Sequence, residues 1–200
     1  MTDNALECSL GSRTENVDED QVLVRRAQRD TEAAGRLYDK YYREILGYIY
    51  HSTLDRTVSE DLTSNIFLAA FRHLGRYPWR QVRFRAWLYR IATNEIRMHY
   101  RRQRYARTAD LEAKRGIAEG SAPCADESPA VAEEYCLLHR ALLLLPLKYR
   151  TVIILRYFEG RPIAEIVDIT GRREGTIKSQ LHRGLNQLHE ILVRWGVLRE

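Results

Sequence analysis

Two hundred residues and 23.5 kDa suit one large domain or two small ones, and 44% hydrophobic residues are enough to bury a core, which excludes a chain disordered throughout. Thirty-two Lys and Arg against 27 Asp and Glu leave a net charge of +5, which favours an anionic partner, nucleic acid first among them. No apolar run approaches the roughly 18 residues of a membrane span, and the N-terminus is acidic where a secretory signal is basic and then apolar, so a cytoplasmic protein without membrane insertion is expected.

The charge is unevenly spread, and its steps coincide with changes of pattern. Residues 1–20 carry net −5, residues 21–105 net +9, residues 106–130 net −2 and residues 131–200 net +3. The stretch 106–130 also holds two Pro, two Gly and two Ser with few large apolar residues, the composition of a flexible linker. Two domains, 21–105 and 131–200, are therefore expected around it, behind an acidic tail over 1–20.

Taken in chain order, the elements read as all-α, with no strand-like alternation. Leu37, Tyr41, Ile45 and Ile49 recur at four-residue intervals beside Tyr38, Tyr42 and Leu46, the broad apolar face of one long helix. After a turn over 54–58, Ser59 is expected to cap a second helix, with Glu60 and Asp61 in its first turn and Leu62, Ile66, Ala70, Phe71 and Leu74 following. Gly75 and Pro78 break it. Phe84, Trp87, Leu88, Ile91, Ala92 and Ile96 mark a third helix running into Arg101, Arg102 and Arg104. Beyond the linker, Tyr135, Leu138, Leu142 and Leu145 begin another helix, and Pro146 ends it or starts the next, which holds Val152, Ile153 and Phe158. A turn at Glu159–Gly160 leads to a short helix over 163–169, a turn over 170–173 and a longer helix on which Ile177, Leu181, Leu185, Leu188 and Leu192 face inward. Two helices joined by a short Gly-containing turn form a helix-turn-helix.

Two stretches carry recognition chemistry. On the last helix, Lys178, Ser179, His182 and Arg183 lie off the apolar stripe, preceded by Arg172 and Arg173, all able to contact phosphates or base edges in a major groove. An ordinary solvated face gives the same pattern. The run 82–105 holds seven Arg against one acid, Glu95, interleaved with Phe84, Trp87, Tyr89, His99, Tyr100 and Tyr105, a combination suited to single-stranded or melting nucleic acid. Trp87 shares a face with Phe84, Leu88 and Ile91 and is expected in the core, whereas Tyr89, Asn94, Arg97 and Arg101 are expected to face solvent or ligand.

Ser59-Glu-Asp-Leu-Thr-Ser-Asn-Ile-Phe-Leu-Ala-Ala-Phe71, then Phe84-Arg-Ala-Trp-Leu-Tyr-Arg-Ile-Ala-Thr-Asn94, then Glu165-Ile166, Gly175-Thr-Ile-Lys-Ser179 and His182-Arg183 together resemble the extracytoplasmic-function sigma factors of bacterial RNA polymerase, within the sigma-70 family. The resemblance covers about three quarters of the chain. It implies a region 2-like helical bundle and a region 4-like helix-turn-helix, with core RNA polymerase, through its largest-subunit clamp and its flap, and promoter DNA as partners. An anti-sigma factor is a further partner the resemblance allows. The positions it implies for polymerase binding are Asp61, Asn65 and Phe67. Those for the minus-10 element, opened with capture of an extruded base, are Arg83, Arg85, Tyr89, Arg90, Asn94, Arg97 and Arg101. Those for the minus-35 duplex are Arg172, Arg173, Thr176, Lys178, Ser179, His182 and Arg183.

The chain departs from the family pattern in places. Ala34 stands where Phe is usual, Val167 and Thr170 replace a small residue and a Leu in the bracing helix, Gln180 replaces a common Arg, and Gly184 replaces Ala. Gly184 is expected to cost about 1 kcal/mol of helix stability and to leave the angle of the reading helix open. An enzyme is the first competing reading: Cys136 and His139 stand three apart, and Cys124 is a possible third ligand, but no carboxylate cluster, activated nucleophile or phosphate loop accompanies them, so neither cofactor nor metal is expected. Cys8, Cys124 and Cys136, odd in number and far apart, are read as reduced thiols. The second competitor is a helix-turn-helix regulator that binds operators without polymerase; the arginine-rich, aromatic first domain argues against it.

Overall fold

The computed structural model describes residues 19–77, 82–109 and 129–198, with backbone only over 107–109 and 129–134. Most of the expected tail and linker, the expected break at Pro78, Cys8 and Cys124 lie outside the described residues. Those described are all-helical, without a strand. A first helix, α1, runs over 19–27. It is followed by α2 (Thr31–Thr53), α3 (Arg56–His73), α4 (Phe84–Ala109), α5 (Pro129–Leu144), α6 (Leu147–Ile153), α7 (Ile163–Thr170) and α8 (Glu174–Arg194). Asp20, expected in the acidic tail, belongs to α1 and engages Lys40 at 2.6 Å and the Tyr41 hydroxyl on α2.

Helices α2, α3 and α4 close around an aromatic core in which Leu37, Tyr41, Ile45, Tyr48 and Ile49 meet Ile66, Phe67, Phe84, Leu88 and Tyr89. The stripe on α2 is the expected one, and it buries because its period matches the helix. The buried Tyr48 hydroxyl pairs with Thr93 at 3.0 Å, so its burial leaves no orphaned polar atom. The start of α3 is not at Ser59. Asp55 is the N-cap, its carboxylate accepting from the Val58 amide at 3.0 Å, while Ser59 is buried in the helix and bonds back to the Asp55 carbonyl. The turn is shorter than the sequence suggests because Leu54 caps α2 in the left-handed region, φ 54°, reversing the chain in two residues.

The C-terminal helices continue the same buried cluster with an aliphatic part, Leu142, Leu145, Val152, Ile153, Ile154, Ile166, Ile169, Ile177 and Leu181. Pro146 is the N-cap of α6. That helix widens into a π turn over Ile154–Phe158 before the Glu159–Gly160 turn. Gly171, φ 68°, ends α7 in the left-handed conformation that glycine adopts without steric cost, and it makes the tight turn of the helix-turn-helix. Leu185, expected inward, is 36% exposed at the stripe's edge; Gly184 faces inward instead. A Cβ there would stand 2.9 Å from Ile153 Cδ1 and 3.0 Å from Tyr149 Cβ. The glycine thus lets α8 approach α6 closely, and its low helix propensity is offset by that contact.

Candidate nucleic-acid interface

The last helix, α8, is held by its apolar stripe and open on its other side. Ile177, Leu181, Leu188 and Leu192 are buried, whereas Arg173, Thr176, Lys178, Ser179, His182 and Arg183 are exposed. Lys178 is paired with Glu174 at 2.7 Å within the same exposed turn, and the Ser179 hydroxyl donates to the Thr176 carbonyl at 3.0 Å. An exposed ion pair of this kind is worth little. Arg172 differs from its neighbours. It is half-buried and donates to Gln180 Oε1 at 2.6 Å, and its guanidinium is lowered from its usual pKa first by burial and then by the charge of Arg97 on α4. Gln180, a departure from the family, is thereby the residue that orients Arg172.

On α4 the arrangement is mixed. Arg83, Asn94 and Arg101 are exposed, and Asn94 accepts from Arg97 at 3.4 Å. Tyr89 was expected at the surface and is fully buried: its hydroxyl donates to Glu159 at 2.7 Å and its ring lies 5.1 Å from the Arg161 guanidinium. Burial, then the charges of Glu44 and Glu159, push its phenol far above the ordinary range and keep it a donor. Arg85 is half-buried, 3.3 Å from Glu44 on α2. Arg90 reaches across to the carbonyl of Asp168 near the end of α7, at 3.1 Å from its Nε. Trp87 packs against Tyr77 and Phe84 at the core's edge, with ring centroids 5.1 and 5.7 Å away, as its face implies.

Helix α3 carries Asp61, Ser64, Asn65, Leu68 and Arg72 on one exposed face. Phe67 is not part of that face: it is 2% exposed and packs on Tyr38, with centroids 4.7 Å apart, in the core beneath it. Leu68, 54% exposed, is the apolar residue on that face, and sequence reading missed it. The i, i+3, i+4, i+7 spacing from Asp61 to Leu68 was the available signal. Glu44, His51, Glu159 and Arg161, which join the two halves, were also missed. Cys136, expected as a reduced thiol, is disulfide-bonded; an odd count of widely spaced cysteines gives no sign of a bond.

A helical bundle with a basic helix on its surface, joined to a helix-turn-helix with an open basic reading face, defines a two-part DNA-binding protein. The pattern of sigma-70 region 2 matches residues 37–105, and that of sigma-70 region 4 matches residues 137–188. The chain is 33% identical over 178 residues to the ECF RNA polymerase sigma factor BldN of Streptomyces coelicolor, covering 85% of this chain and 64% of that relative's length. It is 30% identical to the ECF RNA polymerase sigma factor SigW of Bacillus subtilis, covering 82% of this chain and 90% of SigW. A co-crystal structure of the sigma factor RpoE with the anti-sigma factor NepR from Bartonella quintana has the same fold, with a TM-score of 0.62 at 22% identity over 78% of this chain and 96% of that one. The chain belongs to the extracytoplasmic-function sigma factors of the sigma-70 family. Sigma factors act with core RNA polymerase to direct promoter-specific initiation, and they are generally not enzymes.

Proposed function

We infer that residues 21–105 dock on the polymerase clamp and open the minus-10 element, that residues 131–200 sit on the flap and read the minus-35 duplex, and that residues 106–130 link them. The observation that carries this is the division of α8 into a buried stripe and an exposed face of Arg173, Thr176, Lys178, Ser179, His182 and Arg183, a helix braced by α7 and free to enter a major groove. Asp61, Asn65 and Leu68 are the polymerase contacts on α3, with Phe67 left in the core. Arg83, Asn94, Arg97 and Arg101 form the single-strand face of α4, where guanidinium groups neutralise the backbone. Arg85, Tyr89 and Arg90 support that face and are engaged by other parts of the chain. The chain acts by binding, in the cytoplasm alongside the polymerase, and no helix among the described residues is long and apolar enough to cross a membrane. An anti-sigma factor is a natural regulator, given the NepR complex of the structural neighbour.

In vitro transcription tests this reading. Core polymerase with this protein on a promoter library starts at defined sites that core polymerase alone does not use. DNA binding without initiation would instead identify an operator-binding regulator.

A further inference from the structure

The turn before α8 carries a chain of hydrogen bonds that ends at Gln180. Gly171, φ 68°, sets the backbone of the turn, the Arg172 amide donates to the Thr170 hydroxyl at 3.4 Å, and that hydroxyl donates to the Ile166 carbonyl at 2.7 Å. From this anchored backbone the Arg172 guanidinium reaches α8 and donates to Gln180 Oε1 at 2.6 Å. Thr170 and Gln180, two residues in which the chain departs from the family pattern, are thus joined through Arg172. Gln180 stands one helical turn beyond Thr176 and one before Arg183, both exposed, so it belongs to the face proposed to enter the groove. The first turns of a reading helix lie nearest the base edges.

A guanidinium has N–H donors and no acceptor, so the Gln180 amide turns its oxygen, not its nitrogen, toward Arg172. The bond is short and charge-assisted, which fixes the polarity of the amide. A free glutamine reads adenine through two bonds, its oxygen accepting from N6 and its NH2 donating to N7. Here the oxygen is engaged, and an N6 amino group brought to it meets the charge and the donors of the guanidinium. Guanine instead presents two acceptors, O6 and N7, at the same edge. The NH2 of Gln180 and the other N–H groups of Arg172 are all donors, so guanine satisfies what adenine opposes.

We propose that Arg172 is a positioning residue that locks the Gln180 amide as a donor, so that Gln180 selects guanine over adenine at one base pair of the minus-35 duplex. The proposal rests on the duplex-reading role inferred for α8 and adds to it a base preference and the pair that sets it. With Arg172 removed, the amide is free to turn and adenine regains its second bond.

The test sequences the duplexes that core RNA polymerase with the full chain retains from a randomised pool. It compares wild type, Arg172→Leu and Gln180→Glu, with circular dichroism reporting folding. The lock predicts an enriched element with guanine at one base pair, which Arg172→Leu shifts toward adenine by about fivefold or more while the other positions hold. Gln180→Glu, with one oxygen for Arg172 and one for the groove, is predicted to select cytosine at that same base pair. An element unchanged by Arg172→Leu overturns the lock. So does a loss of affinity spread evenly over all sequences, which marks a phosphate contact. Should Arg172→Leu lose helicity, Gln180→Glu decides alone: cytosine in place of guanine supports the lock, and any other result overturns it. A wild-type chain that enriches no element refutes the duplex reading and the lock with it, whereas an enriched element that neither variant alters refutes the lock alone.

Discussion

The two helices proposed to recognise DNA, α8 and α4, differ in what covers them. On α8 the reading face is open: Lys178, Ser179, His182 and Arg183 are exposed, and the helix is fixed from behind by an aliphatic stripe. On α4 the basic aromatic surface is divided, with Asn94 and Arg101 open while Tyr89 and Arg90 are occupied by Glu159, Arg161 and the end of α7. The difference teaches that the face proposed to read duplex is open as the chain stands, whereas part of the surface proposed to open strands is covered by the C-terminal half.

Substitutions at matched positions break or sharpen that contrast. The largest effect is expected at Tyr89: Tyr89→Ala removes a fully buried ring and is predicted to cost about 3–5 kcal/mol of stability, whereas His182→Ala on the open face stays within about 0.5 kcal/mol. Thermal or urea unfolding distinguishes them, and equal losses would erase the difference in burial. Next, Arg183→Ala is predicted to weaken binding to minus-35 duplex by about 1–3 kcal/mol if its guanidinium reads a base. Titration of labelled duplex measures this, and unchanged affinity would remove Arg183 from the reading face.

A smaller effect is expected at Gly184. Gly184→Ala gains about 1 kcal/mol of helix propensity and loses about 1–3 kcal/mol to crowding against Ile153 and Tyr149, so a modest net destabilisation is predicted. Net stabilisation would mean that the α6–α8 contact yields easily. The smallest effect is a pH slope. Burial lowers the pKa of His139, with His51 opposing protonation further, and burial likewise lowers that of His99. The unfolded chain then binds protons that the folded chain resists, so stability falls as pH drops through the ordinary histidine value near 6.5. His139→Leu is expected to flatten the dependence of the melting temperature on pH; an unchanged slope would contradict the assignment.

What was legible in the sequence follows from periodicity. The stripes of α2 and α8 announced themselves because local spacing alone decides which face is apolar, and the helix-turn-helix followed from Gly171 between two such segments. Elements whose environment is set by distant residues were not legible. Tyr89 read as exposed because the groups that bury it, Glu159 and Arg161, lie some 70 positions further along the chain. Ser59 and Asp55 have equivalent capping chemistry, and the left-handed Leu54 decides between them. Gly184 read as a flaw in a helix because its compensation lies in α6. Phe67 stands among the polymerase-binding positions that the resemblance implies, and its contact with Tyr38 belongs to the core, which the apolar spacing of α3 already suggests.

The most direct test of the account is a pair of footprints on one promoter with polymerase carrying wild-type chain or Asn94→Ala. Nuclease protection reports duplex reading at minus-35, and permanganate reactivity of minus-10 thymines reports strand opening. The account predicts that Asn94→Ala keeps the minus-35 protection and loses permanganate reactivity. Loss of both in parallel would contradict the assignment of α4 to opening and α8 to duplex reading.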